Sequence, residues 1–209
     1  MLKTLPDAPL AQSQVQLGLT AGWVNGRFGD DYQESAPKPR TIIALEPNVA
    51  SRSHGSVKIT SADIRVAPTI DLNYLSDPEH YDEDVLFESV SFCRRLGQTQ
   101  SFKKIISREL SPGPDVVSES DLRDFIRKNC QTYYHASGTC RAGSADDPDA
   151  VLTPDLKVKG VSGLRVCDAS MFPAMVSVNI NATVMMVGEK AADLIISDAR
   201  QLASAASGN

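Results

Sequence analysis

The chain has 209 residues, 42% hydrophobic and 22% charged, a composition that supports a soluble folded protein with one generous core. Its formal net charge of -5, with acids and bases interspersed, gives no electrostatic footprint for a phosphate backbone, so nucleic acid is excluded as an expected partner. No apolar run approaches the roughly 18 residues of a spanning helix and the N-terminus lacks a signal-peptide core, so a soluble intracellular protein without a membrane partner is expected. The four cysteines (Cys93, Cys130, Cys140 and Cys167) form no C-x-x-C pair, and neither a metal centre nor a redox dithiol is expected.

In chain order, residues 1–40 are rich in Gly, Pro and Gln and read as loop with one short strand at most. Three stretches with strand character follow: 40–47, 55–63 (Val57 and Ile59 alternating with polar neighbours) and 67–75 (Ile70, Leu72 and Tyr74). Short polar connections between them predict one antiparallel sheet with a solvated face. The segment from Ser76 opens with Ser76 or Asp77 as N-cap and Pro78 at the first helical position, and closes on Arg94, Arg95 and Gly97. Its apolar stripe is Leu86, Val90, Cys93 and Leu96. A short helix is expected over 101–110. Another is capped by Ser118 or Ser120, with Leu122, Phe125 and Ile126 turned inward.

From residue 131 short strands alternate with Gly, Pro and Asp turns, and a long helix runs from about Asn181 to about Leu202. The fold class is therefore α+β, an antiparallel or mixed sheet flanked by helices and closed by a long C-terminal helix. A single domain over 1–209 is expected, made of an irregular 1–40, the sheet and helices of 40–130, and a 131–200 segment that carries the chemistry.

Within that last segment, "YYHASGTC" (133–140) sets His135 between two tyrosines and a Gly-Thr turn, a setting that serves either a hydrogen-bonded structural histidine or an acid/base. The start of the last helix offers free N–H groups around Ala182 and Thr183 to an electron-rich acceptor. Of the two asparagines there, Asn181 is assigned as the N-cap, which leaves Asn179 to point its amide at a ligand. In "GLRVCDAS" (163–170) an apolar run delivers Asp168 to its end, either to cap the next turn or to hold a polar ligand group.

These blocks, "YYHASGTCRAG", the run from Val151 to Ile195 with its "LRV-DAS-FP" core, and the upstream stretch 55–85, resemble the C-terminal part of the glucose-methanol-choline (GMC) flavin oxidoreductases over about residues 45–197. The resemblance implies a substrate-binding and catalytic portion of an FAD-dependent alcohol oxidase or dehydrogenase. In that setting His135 takes the hydroxyl proton while hydride passes to the flavin, and Asn179 hydrogen-bonds the substrate oxygen. Asp168 and Ala169 match the flavin side of the site, and the backbone of Asn181, Ala182 and Thr183 matches the helix start beside the flavin. Tyr134, Trp23 and Phe28 are candidate walls for a small-molecule pocket or, equally, ordinary core residues. Ala136, Ser137 and Ala142 depart from the family's usual residues at their positions.

No two of the 13 glycines stand two residues apart, so the chain contains no G-x-G-x-x-G motif. The flavin-binding part is therefore expected elsewhere, and FAD is not expected to bind this chain alone. Its partners would be a flavin domain or a second copy meeting the exposed face. Retention of His135 and Asn179 without that motif leaves a flavin-independent enzyme open as the alternative, a lyase, isomerase or cyclase using the same base. A non-enzymatic binding module is the third.

Overall fold

A computed structural model describes residues 15–22, 42–176 and 179–207. The chain divides into two compact units, one of residues 1–55 and 71–131 and the other of residues 56–70 and 132–209. The fold is α+β, with small strand pairs and helices ending in a C-terminal helix. Among the described residues no helix is long and apolar enough to cross a membrane. No group of three or more His, Cys, Asp or Glu side chains among them is placed to hold a metal ion.

The first unit begins with an antiparallel pair, β1 (Val15–Gly22) and β2 (Ile42–Val49), in register from Val15 opposite Val49 to Gly22 opposite Ile42. It continues with α1 (Tyr81–Gly97), the single turn α2 (Gln100–Lys103) and α3 (Glu119–Asn129). Helix α1 packs against both α3 and β2. Among the described residues of this unit, Val15, Val85, Leu122 and Ile126 are the buried apolar side chains. Ser118 caps α3, accepting from the Asp121 N–H at 3.0 Å.

Helix α1 starts later than its sequence suggests. His80, in the left-handed region at φ 55°, holds the N-cap position, and its carbonyl accepts from Asp84 N–H. Asp77 still serves the helix end from outside, because its carboxylate accepts from the N–H groups of Tyr81 and Asp82. The buried face is Asp82, Glu83, Val85 and Ser89 rather than the stripe of Leu86, Val90 and Cys93, which is half-buried. Polar partners make that burial tolerable. The Asp82 carboxylate accepts from the hydroxyls of Ser51 and Ser53 and from the backbone N–H groups of Arg52 (2.8 Å) and Ser53 (2.9 Å). Glu83 is held by Arg127 at 2.7 Å and Arg123 at 3.2 Å, and Arg123 also reaches Asp84 at 2.7 Å.

The strands are not one sheet of three. β2 pairs with β1, which lies in the stretch 1–40 that reads as loop with one short strand at most, and β3 (Ser56–Lys58) pairs with β4 (Thr69–Asp71) in a separate two-stranded sheet. Each of these strands is only three residues long. A turn stitched by Ser61 and Asp63 side chains ends the ladder: Asp63 N–H donates to Ser61 Oγ and Arg65 N–H to Asp63 Oδ1, both at 3.0 Å.

The second unit is organised by α4 (Asn181–Ser207), 27 residues long. Val187 and Ala191 of α4 form one buried cluster with Leu156 and Phe172, and Cys167, Ala169, Ile180 and Val184 pack against it. Leu152 is fully buried in the turn-rich stretch before it. Asp198 of α4 is bonded to Arg165 at 2.8 Å and Lys157 at 2.9 Å, which ties the helix to the loop 155–165.

Candidate active site

Every positioned component of the candidate site belongs to the second unit. Asp168 is the N-cap of a 3-10 turn over Ala169–Met171. Its Oδ1 accepts from Ser170 N–H (2.8 Å) and Ser170 Oγ (2.5 Å). The Ser170 hydroxyl and then its amide hold the Asp168 carboxyl below the ordinary carboxylate range. Of the two roles open to Asp168, capping is the one its contacts serve.

The turn in turn carries the histidine loop. Gly138, Cys140 and Ala142 donate backbone N–H groups to the carbonyls of Ala169 (3.2 Å), Ser170 (2.9 Å) and Met171 (2.9 Å). Gly138 is needed for this approach: its φ is +83°, and a Cβ there would stand 3.3 Å from the carbonyl oxygen of Phe172, whose side chain is buried. The ladder fixes the segment three residues beyond His135 against the capped turn.

His135 is half-buried, and its ring meets Tyr133 edge-on, with centroids 5.1 Å apart and planes at 82°. Between them Tyr134 takes φ 63°, and its N–H donates to Thr132 Oγ1 at 2.9 Å. The imidazole nitrogens of His135 make no hydrogen bond to any described residue.

A hollow of about 520 Å³ opens at this point, lined by Tyr134, His135, Ala136, Asp168, Ala169, Ser170, Ile180, Asn181 and Val184. It lies at the N-terminus of α4. The first helical hydrogen bond runs from Val184 N–H to the Ile180 carbonyl at 2.8 Å, which makes Ile180, not Asn181, the N-cap residue. The N–H groups of Asn181, Ala182 and Thr183 therefore precede the first intrahelical donor, and with the positive end of the helix they suit an electron-rich acceptor.

The structure thus brings Tyr134, His135, Asp168, Ala169 and Asn181 to one hollow. Asn179 is exposed two residues before α4, and neither it nor Ala182 nor Thr183 lines the hollow with its side chain. Trp23 and Phe28 lie outside the described residues. Ser170, Ile180 and Val184 also line the hollow and are not singled out by the sequence, and Ala136 stands out there only as a departure from the family's usual residue. Ser170 could have been found from its place two residues after a capping Asp, and Ile180 with Val184 from their i, i+4 spacing.

A family model described as GMC oxidoreductase matches residues 51–188. Choline oxidase of Arthrobacter globiformis is 43% identical over 160 residues, which cover 76% of this chain and 29% of that protein. An oxygen-dependent choline dehydrogenase of Rhizobium rhizogenes is 40% identical over 72% of this chain and 27% of its own length. Among solved structures, formate oxidase of Aspergillus oryzae superposes with a TM-score of 0.76 at 28% identity, over 94% of this chain and 34% of that one. The chain therefore spans less than a third of the length of the curated relatives it matches.

Proposed function

Because this chain belongs to the GMC oxidoreductase family, we propose that it is the substrate-binding and catalytic portion of an FAD-dependent alcohol oxidase or dehydrogenase, with His135 as base and Asn179 as its partner. The observation that carries the reading is the ladder from Gly138, Cys140 and Ala142 to residues 169–171, which sets His135, the capped turn and the start of α4 around one hollow.

The His135 imidazole, which bonds no described residue, is chemically suited to a base, since a ring nitrogen can receive a substrate hydroxyl proton. Asn179 supplies an amide Nδ2 donor for an oxygen that gains alkoxide character as that proton leaves. Ala169 and Val184 contribute apolar wall, and Asp168 shapes the turn through Ser170.

The residues present fit one edge of a flavin. The three leading N–H groups of α4 suit an electron-rich acceptor, whereas no glycine-rich phosphate cradle occurs in the chain. FAD, when bound, supplies the two-electron acceptor that oxidation of a CH–OH group requires. Choline is the substrate to try first, because the two curated relatives described above are named for acting on it.

The test is a chimera in which this chain replaces the matching part of the Arthrobacter globiformis choline oxidase. Choline should bleach its flavin absorbance, and His135→Ala should abolish bleaching while leaving the FAD content unchanged. A His135→Ala chimera that still bleaches at the original rate removes His135 from the role.

A further inference from the structure

A catalytic histidine is usually oriented by a third group that accepts its other ring N–H. His135 has no such acceptor among the described residues, and its one ring contact there is Tyr133. From this contact, and resting on the proposed role of His135 as base, we infer that Tyr133 is the positioning residue that fixes the imidazole plane for proton transfer.

The backbone is arranged to make the contact. Along an extended strand the side chains of residues two apart stand about 7 Å from each other. Here the left-handed turn at Tyr134, pinned by its N–H to Thr132 Oγ1, brings the rings of Tyr133 and His135 to 5.1 Å at 82°, inside the preferred range for an edge-to-face pair. A non-glycine residue at φ 63° costs energy, and it is kept where the surrounding structure holds it.

Tyr133 itself stands outside the lining of the hollow, while Tyr134 and His135 face it. Tyr133 thus acts on the reaction through His135 and touches no substrate. The ladder that begins at Gly138 anchors the chain three residues beyond His135, and the Tyr133 ring contact is made on the other side of it in sequence.

Two variants in two settings test the inference. In the 209-residue chain, Tyr133→Phe keeps the ring and should leave the His135 ring-proton NMR signals in place, whereas Tyr133→Val removes the ring current and should shift them. Protection of the Gly138, Cys140 and Ala142 amides from hydrogen exchange reports whether the loop remains folded. In the choline oxidase chimera, Tyr133→Val should lower kcat about two- to tenfold with KM unchanged, and Tyr133→Phe should restore it.

His135 signals unmoved by Tyr133→Val, or an unchanged kcat, overturn the positioning role while His135→Ala remains inactive. A fully active His135→Ala chimera instead overturns the proposed function, and the positioning role falls with it.

Discussion

Asp82 shows how a single carboxylate can be both buried and ionised. Its residue is only 3% exposed, and burial alone would raise its pKa; the hydroxyls of Ser51 and Ser53 and the amides of Arg52 and Ser53 outweigh burial and bring it below the ordinary value. A lowered folded pKa means the folded state holds this proton less tightly than the unfolded chain. The stabilisation is therefore complete above the unfolded carboxylate value near 4 and is lost as pH falls through the folded one. Asp82→Asn keeps the shape but cannot accept from four donors as an anion does. It is expected to cost about 2–3 kcal/mol at pH 7, with the gap to the parent narrowing below pH 4. Urea unfolding at a series of pH values checks both statements, and equal losses at pH 7 and pH 3 would show that the charge contributes nothing.

At the scale of elements, α1 and α3 are joined by a charged seam rather than by apolar surface alone. Arg123 bonds Glu83, Asp84 and Glu119 and lies 4.7 Å over the Phe87 ring, and these carboxylates push its pKa further up. Arg123→Met is expected to destabilise the first unit by about 1–3 kcal/mol, because Glu83, with a side chain 8% exposed, keeps only Arg127 as cation among the described residues. Arg123→Lys should recover little of this, since one ammonium cannot reproduce the guanidinium fork; thermal melts of both variants would decide.

The two helices differ in how much of them the sequence discloses. α3 is legible because its signals are local: Ser118 three residues before its N–H partner, and Leu122 with Ile126 one turn apart. In α1 Asp82 and Glu83 lie off the apolar stripe of Leu86, Val90, Cys93 and Leu96, yet they are buried by partners some thirty and forty residues away, at Ser51–Ser53 and at Arg123 and Arg127. Hydrophobic periodicity contains no information on such partners. The strand pairing was lost for a related reason, since alternation in 55–75 marks strands but not which neighbour each takes, and β2 found β1 instead. At the site, His135 and Asp168 were readable from motif spacing, whereas the ladder joining their loops is made of backbone groups that every residue carries.

On the scale of the whole chain, the question is how much of a flavin site 209 residues can supply. The donors on hand are the N–H groups of Asn181, Ala182 and Thr183 at the start of α4, beside a hollow of about 520 Å³. Three neutral hydrogen bonds at a net of about 1 kcal/mol each give about 3 kcal/mol, short of the roughly 4 kcal/mol that a millimolar Kd represents. Ordering the cofactor costs more still. A phosphate cradle of the glycine-rich kind would add the missing affinity, and the sequence contains none. The chain titrated alone with FAD is therefore expected to show binding no tighter than about millimolar, by flavin fluorescence or equilibrium dialysis. The chimera with the remainder of choline oxidase should retain the cofactor through gel filtration. Micromolar binding by the 209 residues alone would mean that phosphate recognition is built from other groups, and the division of labour argued from the glycines would fail.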